Sequence, residues 1–315
     1  MKKIGQFVSI LASVCLGAFL LGGCDRMILL DPKGPIGETE RFVILTAFGL
    51  MLLVIVPVII MALWFPWKYR ETNTEAVYAP KWSHSKTIEW IVWTIPAVIV
   101  TVLSILIWQT THRLDPYKPI ETGVAPMRIE AISLDWKWLF IYPDLGVASV
   151  NELVFPARVP LSFRITSASV MTSFFIPQLG SQIYAMGGMQ TRLHLLADEP
   201  GTYAGQNQQY SGRGYTEMNF EAIATSAEDF SAWAAKVKQS PDILDLSRMD
   251  DLEKPSVADP VRYFSSVAPG LFDRILEKYG MVMEMKPGKM NLEAGQQPAH
   301  GAGQMHMHHG AGKGN

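Results

Sequence analysis

The sequence FVILTAFGLMLLVIVPVIIMALWFPW occupies residues 42–67, and WIVWTIPAVIVTVLSILIWQTT occupies residues 90–111. The two stretches are 26 and 22 residues long, and neither contains a charged residue. A helix rises about 1.5 Å per residue, so about 20 residues cross the roughly 30 Å hydrocarbon layer of a bilayer. The pattern predicts a transmembrane hairpin with helices at 42–67 and 89–111 and a connecting loop at 68–88. A pair of buried core helices is the alternative interpretation.

The overall composition agrees with a membrane-attached chain. The 315 residues are 49% hydrophobic and 18% charged, an unusual balance for a soluble enzyme of this size. The formal net charge is −2. This balance excludes the basic surface that a nucleic-acid partner requires, so we expect no nucleic acid and instead expect contact with membrane lipid.

The N-terminus has the pattern of an export signal. Lys2 and Lys3 precede an uncharged apolar stretch at 7–21, which is followed by Gly22-Gly23-Cys24. This pattern resembles the bacterial lipoprotein signal, in which residues 1–23 are removed and Cys24 carries lipid. The alternative is an ordinary first transmembrane helix, but about fifteen apolar residues are too few to span a bilayer.

The cysteine count limits the chemistry of the remaining chain. The two cysteines, Cys15 and Cys24, both lie within the first 24 residues. A disulfide framework, a zinc ribbon and a cysteine nucleophile are therefore excluded from the body of the chain.

The orientation of the hairpin follows from the lipid anchor. Four basic residues lie in the loop at 68–88 and five lie on the outer flanks, which does not decide the orientation. Lipidation takes place on the outer face of the inner membrane. The anchor therefore predicts that the segments 24–41 and after 111 are periplasmic and the 68–88 loop is cytoplasmic.

The remaining chain predicts a periplasmic β domain at 112–225. Leu134, Trp136, Trp138 and Phe140 alternate with Asp135, Lys137 and Leu139, which is typical of a half-buried strand. Further short runs broken by Pro, Gly and Asn indicate an antiparallel sandwich or barrel.

Helices and a polar tail are expected after the β domain. The pattern Thr225-Ser226-Ala227-Glu228 predicts a capping box that opens a helical region at 226–285. Residues 286–315 are rich in Gly, Met and His without periodicity, and we expect them to be disordered.

Several motifs resemble subunit 2 of the haem-copper respiratory oxidases, over about residues 25–285. They are His84-Ser85, Glu89-Trp90, Trp93-Thr94-Ile95-Pro96, the aromatic stretch 135–143, the stretch 170–177, Gln190-Thr191-Arg192 and Glu199-Pro200-Gly201-Thr202-Tyr203. The resemblance is closest to the quinol-oxidising branch, the bo-type ubiquinol oxidases. It implies a membrane-anchored, two-helix hairpin followed by an all-β, cupredoxin-like periplasmic domain with C-terminal helices.

The branch of this family that oxidises cytochrome c holds a binuclear copper centre in this domain. Its ligands are a strand histidine and the residues of a Cys-x-Glu-x-Cys-x3-His-x2-Met run. In the same order, the corresponding positions here are Thr172, Asn207, Gln209, Ser211, Tyr215 and Met218. Such copper requires thiolate and imidazole donors. The resemblance therefore implies degenerate copper positions that are not ligands, and we expect Met218 to be a core residue.

The loss of that site implies the function. We expect subunit 2 of a terminal ubiquinol oxidase that binds no cofactor itself and supports assembly of a proton-translocating complex. Haems and one copper are expected in the partner subunit 1, alongside other small membrane subunits, with ubiquinol rather than cytochrome c as donor. A different function, that of a free-standing periplasmic metal-binding chaperone, remains the alternative.

Two further features are candidates for function. Glu89 lies at the cytoplasmic start of the second span, and the matching glutamate of the family lies near the entrance of a proton channel. A snorkelling glutamate near Lys86 is the other interpretation. His306, His308 and His309 are weak metal candidates in the tail, which we otherwise expect to be solvated. Trp136 and Trp138 are expected to be core or subunit-interface residues.

Overall fold

The computed structural model describes residues 27–77, 79 and 81–279, together with the backbone of 283–286 and 289–290. Two long helices come first, α1 (Pro35–Lys68) and α2 (Lys86–Arg113). Their apolar side chains are exposed along most of their length, as lipid-facing helices require. Helix α1 begins seven residues before the uncharged stretch, at a proline in the first helical position, where a missing N–H is tolerated.

The β domain follows α2. Its strands are β1 (Met127–Leu134), β2 (Lys137–Tyr142), β3 (Val147–Val150), β4 (Glu152–Pro156), β5 (Leu161–Ser167), β6 (Thr172–Phe174), β7 (Ile183–Ala185), β8 (Met189–Leu195), β9 (Gly201–Gln206), β10 (Asn219–Thr225), β11 (Arg262–Phe264), β12 (Met283–Lys286) and β13 (Lys289–Met290). The large sheet has the strand order β11-β3-β2-β1-β5-β8-β12-β13, and the small sheet has the order β4-β10-β9. Strands β6 and β7 form a separate hairpin.

The sheets are mixed rather than antiparallel. Strand β1 pairs with β5 in parallel, and β10 pairs with β4 in parallel. The expectation of a purely antiparallel sandwich was wrong because the chain leaves the large sheet at Asn151 and continues in the small sheet. Asn151 has φ 57°, a left-handed conformation that asparagine tolerates. Its side chain fixes this crossing by accepting from the Trp138 N–H at 2.8 Å and donating to the Asp259 carbonyl at 2.9 Å.

Strand β2 is buried on both faces. One face packs between the sheets with an aromatic cluster that includes Trp138, Phe140, Phe174 and Phe220. The other face packs under the C-terminal region, where Leu139 and Ile141 lie among a second set of buried apolar side chains. The expectation of one half-buried strand through 134–140 was wrong, since the chain turns between Leu134 and Lys137 and all of β2 is buried.

The C-terminal region adds α3 (Ala227–Lys238), α4 (Leu246–Leu252) and α5 (Leu271–Lys278). The cap of α3 lies one residue later than the Thr225–Glu228 pattern predicts. Ser226 is the N-cap and accepts from the Asp229 N–H at 3.0 Å, while its hydroxyl donates to the Asp229 carboxylate at 2.8 Å. Helix α4 lies within the region 226–285 that was predicted to be helical, and its N-cap is Asp245, whose side chain accepts from the Arg248 N–H at 2.7 Å.

The segment before α1 is bound to the β domain. The Lys33 N–H donates to the Gln178 carbonyl at 2.7 Å, and the Asp198 N–H donates to the Lys33 carbonyl at 2.9 Å. Gly34 lies so close to the domain that a Cβ there would be 2.1 Å from the Leu196 carbonyl oxygen. These contacts join the N-terminal end of α1 directly to the β domain.

The C-terminal segment is described only in part. Strand β12 pairs with β8 and β13, so Lys286 and Lys289–Met290 have regular backbone inside the segment 286–315 that was expected to be disordered. The described residues do not include the signal segment 1–23, Cys24 or residues 291–315, which contain the tail histidines His306, His308 and His309.

Candidate functional site

The positions that correspond to the family's copper ligands lie together at one end of the β domain. Thr172 begins β6, and the others lie in the connection from β9 to β10, which contains a short 3-10 turn at Tyr215–Glu217. The hairpin containing β6 and the β9–β10 connection are adjacent because the Gln206 N–H donates to the Phe175 carbonyl at 2.9 Å. The six positions are Thr172, Asn207, Gln209, Ser211, Tyr215 and Met218.

Asn207 is the centre of this cluster and is almost fully buried. Its Oδ1 accepts from the N–H groups of Ser173 and Gln209, both at 2.9 Å. Its Nδ2 donates to the Gln209 carbonyl at 2.8 Å, to Ser211 Oγ at 3.2 Å and to Met218 Sδ at 3.4 Å. One neutral amide therefore connects β6 with both ends of the β9–β10 connection.

The remaining positions have their own partners. Thr172 is buried and donates through Oγ1 to Ser133 Oγ at 2.6 Å. Met218 is completely buried and packs in the core between the sheets. Tyr215 is half-buried, and its ring lies 5.9 Å from that of Tyr210. Ser133 and Ser173 take part in this network although the sequence analysis did not single them out, since a serine in a strand carries no signal of its partner.

Trp136 covers the cluster from outside. Its indole Nε1 donates to the Ser211 carbonyl at 2.9 Å, and its ring packs against Gly212 and Gly214. A Cβ at Gly214 would lie 2.4 Å from the ring, so this close approach requires glycine. Trp136 lies in the turn between β1 and β2 with φ 65° and is half-buried. Trp138, in β2, is completely buried in the core.

The donor set at these positions does not fit copper. It consists of amides, hydroxyls and one thioether, whereas soft thiolates and imidazoles hold copper in such centres. Asn207 already donates to Ser211 Oγ and Met218 Sδ, and Thr172 donates to Ser133 Oγ. In the described part of the chain, no group of three or more His, Cys, Asp or Glu side chains is arranged to hold a metal ion.

Lys137 is a buried charge at the β2 end of the same turn. Its side chain is 1% exposed, and Nζ donates to the Lys254 carbonyl at 2.9 Å and lies 3.3 Å from the Asp259 carboxylate. Burial lowers the pKa of Lys137, while Asp259 opposes this change. Burial opposes ionisation of Asp259, but the Ser256 hydroxyl and the Lys137 and Arg262 charges outweigh it and lower its pKa.

Glu89 lies in the first turn of α2, after the N-terminal cap at Ser85. Its side chain is exposed in the isolated chain and forms a shallow cleft with Lys86, Trp90 and Trp93. A carboxylate in the first turn is stabilised by the helix dipole. The residue lies at the end of α2 that follows the 68–88 loop, whereas the positions corresponding to the copper ligands lie in the β domain.

Comparisons with known proteins place two parts of the chain in known families. Residues 145–225 match the family model for the cytochrome c oxidase subunit II periplasmic domain, and residues 238–283 match that for the COX aromatic-rich motif. The solved periplasmic domain of subunit II of cytochrome oxidase from Bradyrhizobium japonicum is 25% identical, with a TM-score of 0.34, and the match covers 36% of this chain and 93% of that chain.

Two curated relatives are similar over most of their length. The chain is 53% identical over 279 residues to cytochrome bo(3) ubiquinol oxidase subunit 2 of Pseudomonas aeruginosa, covering 89% of this chain and 84% of the relative. It is 51% identical over 277 residues to ubiquinol oxidase subunit 2 of Acetobacter aceti, covering 87% and 90%. On this extent of identity, together with the membrane hairpin and the mixed β domain, the chain belongs to the ubiquinol oxidase subunit 2 family of the haem-copper oxidases.

Proposed function

We propose that this chain is the copper-free subunit 2 of a terminal respiratory oxidase that transfers electrons from ubiquinol to O2 and translocates protons. In this proposal the haems and one copper lie in the partner subunit 1, and this chain carries no redox group. The names of the two curated relatives, at 53% and 51% identity, support the choice of ubiquinol as the electron donor.

The observation that carries the copper-free role is the hydrogen-bonded cluster around Asn207. An amide at this position satisfies Ser173, Gln209 and Ser211, so the cluster is complete as a neutral polar network. A buried network with its groups paired holds the loop in one arrangement without a metal. The fold of a copper-binding domain is thereby kept while its electron-accepting site is replaced.

This replacement determines the route of the electrons. A subunit without a redox centre cannot pass electrons from cytochrome c, so the donor must reach subunit 1 directly. Ubiquinol dissolves in the bilayer and releases two electrons and two protons on oxidation, so it fits this requirement. The role that this leaves for the β domain is structural, since it supports assembly and covers the periplasmic face of the complex.

We further propose the topology that the signal pattern indicates. Residues 1–23 are removed, Cys24 carries lipid, and 24–41 and 112–315 lie in the periplasm of a bacterial inner membrane. Helix α1 contains the first span at 42–67 and α2 the second at 89–111, with a cytoplasmic loop at 68–88. The periplasmic part comprises the cupredoxin-like domain at 112–225, the helical region at 226–285 and the tail at 286–315.

Glu89 is proposed to take part in proton uptake by the complex. It lies at the cytoplasmic end of α2 in this topology, on an exposed surface that is free to contact subunit 1. A carboxylate at a membrane boundary exchanges protons with the cytoplasm and is costly there unless it is partnered or functional.

Metal analysis of the purified complex tests the copper-free role. We expect one copper for each copy of this chain, together with the haems of subunit 1. Three coppers per complex, or copper that remains with this chain after its separation from subunit 1, would contradict the proposal.

A further inference from the structure

An open cleft of about 940 Å³ lies where α1 meets the β domain. One wall is the short 3-10 turn before α1 (Ile28–Leu30), and the other comes from the segment that follows β6 (residues 175–182). The side chains that form the cleft are mostly apolar, and they include Met27, Leu30, Glu40, Ile44, Phe175 and Pro177. The proposed oxidase function does not use this cleft.

The cleft lies at the outer boundary of the membrane. Ile44 is the third residue of the uncharged stretch that begins at Phe42, and Glu40 and Arg41 come just before it. Arg41 fixes the turn to the helix, because its guanidinium donates to the Leu30 carbonyl at 3.4 Å. One end of the cleft therefore reaches the level at which hydrocarbon begins, and the other end reaches the periplasmic domain.

The turn is unusually apolar for a surface segment. Four successive side chains, at 27–30, are between 36% and 54% exposed. A contiguous exposed apolar patch of this kind marks a site of contact with a lipid or a partner. The carboxyl of Glu40 has a partner at the edge of the cleft, because its Oε1 accepts from the Ser181 hydroxyl.

We propose that this cleft holds the acyl chains attached to Cys24. Cys24 lies three residues before Met27, and three extended residues span at most about 11 Å. Any lipid on Cys24 must therefore begin within that distance of the cleft, on the side where the apolar turn lies. The inference rests on the lipidation included in the proposed function, and it adds a specific binding site within the fold for the anchor.

Burial of the acyl chains in this cleft gives the anchor a second role. Acyl chains in this cleft would contact the turn, α1 and the segment after β6 at the same time, and would therefore fasten these parts to one another. The anchor would then add to the contacts at Lys33 and Gly34 that already join α1 to the β domain.

Photo-crosslinking in the intact complex tests this site. Cells are grown on a fatty acid with a diazirine in its chain, membranes are irradiated, and the complex is purified and digested for mass spectrometry. We expect adducts that join the Cys24 lipopeptide to the peptides containing Ile44 and Phe175. Ile44→Trp, which fills the cleft, should strongly reduce the adduct at Phe175, while the matched Leu45→Trp on the same helix should leave it unchanged.

The mass of each adduct identifies the occupant. Phospholipid adducts at Phe175, or cleft peptides without adducts while the Cys24 lipopeptide is joined to a partner subunit, would overturn the inference. A mature N-terminus without lipid would overturn it as well. Ubiquinol oxidation by the same preparation is measured separately, so a failure of the lipid site is distinguishable from a failure of the oxidase function.

Discussion

Ser173 donates its backbone N–H to Asn207 Oδ1 at 2.9 Å, and both residues are buried. This bond joins β6 to the β9–β10 connection at the positions where copper-binding relatives would place their ligands. The Ser173 hydroxyl also accepts from the Gln208 N–H at 2.8 Å. The site is thus held together by neutral hydrogen bonds between the two segments that a metal would otherwise bridge.

Replacing Asn207 with alanine should destabilise the chain. The substitution leaves the buried N–H of Ser173 without its acceptor, and a buried unsatisfied group costs about 1–3 kcal/mol. Thermal unfolding of the full-length chain in detergent should show a lower Tm than the wild type. Ser211→Ala, which removes one half-buried acceptor of the same amide, should have a smaller effect. Equal Tm values for N207A and the wild type would show that the network contributes nothing.

Replacing Asp259 with asparagine should be more damaging than replacing an exposed carboxylate. Without the Asp259 charge, the ammonium of Lys137 remains buried and has lost its counter-ion. Removing one partner of a buried ion pair costs about 3–5 kcal/mol of stability. The control is Asp251→Asn, because Asp251 pairs with Lys254 at 2.7 Å on the exposed surface and should contribute little. Urea unfolding of both variants measures the difference. Matching midpoints for the two would contradict the role of the buried pair.

The same carboxylate predicts a pH dependence. The pKa of Asp259 is lowered in the folded chain, since burial is outweighed by the Ser256 hydroxyl and by the Lys137 and Arg262 charges. A lowered folded pKa contributes stability that is present above the unfolded pKa of about 3.9 and is lost as the pH falls through the folded value. Unfolding midpoints measured from pH 6 downwards should fall less steeply in D259N than in the wild type. Parallel curves would argue against this contribution.

Gly34→Ala should weaken the junction between α1 and the β domain. The added Cβ would lie 2.1 Å from the Leu196 carbonyl oxygen, and such overpacking costs about 1–3 kcal/mol. Gly49→Ala is a matched control within α1, because nothing lies within 4 Å of a Cβ there. The yield of assembled complex, measured as haem that co-purifies with the tagged chain, should fall for G34A and remain normal for G49A. A normal yield for both would mean that assembly does not depend on this junction.

Glu89→Ala should slow ubiquinol oxidation several-fold without loss of co-purified haem, because proton uptake would become limiting. Glu89→Asp should restore part of the rate and shift its pH profile, whereas a purely structural role would leave the profile unchanged. Glu71→Ala, in the adjacent 68–88 loop, is the control and should retain wild-type turnover. Unchanged turnover in E89A would refute the uptake role.

The membrane hairpin and the β domain follow from local sequence patterns. Two uncharged runs, each longer than a bilayer requires, predicted the hairpin, and the structure has helices there. Short β-type runs predicted the β domain, and the structure has strands there. The half-buried strand was mispredicted because the chain reverses between Leu134 and Lys137, with Trp136 at positive φ. Nothing in the alternation shows such a turn, and a charged Lys137 gives no indication that it is buried beside Asp259, 122 positions away.

The candidate site was predictable only through the resemblance. The resemblance identified the positions 172, 207 and 211, but their hydrogen bonds to Ser133 and Ser173 carry no signal in the sequence. The parallel pairing of β1 with β5 and of β4 with β10 was also not predictable, since it depends on where the chain crosses between sheets. Contacts between distant segments therefore account for most of what the sequence analysis missed.

Donor-dependent oxygen consumption by the purified complex is the most direct test of the central claim. The complex should consume oxygen when supplied with ubiquinol and should not do so when supplied with reduced cytochrome c. Steady oxidation of reduced cytochrome c would require an electron-accepting centre in this chain, and it would contradict the assignment of a copper-free ubiquinol oxidase subunit.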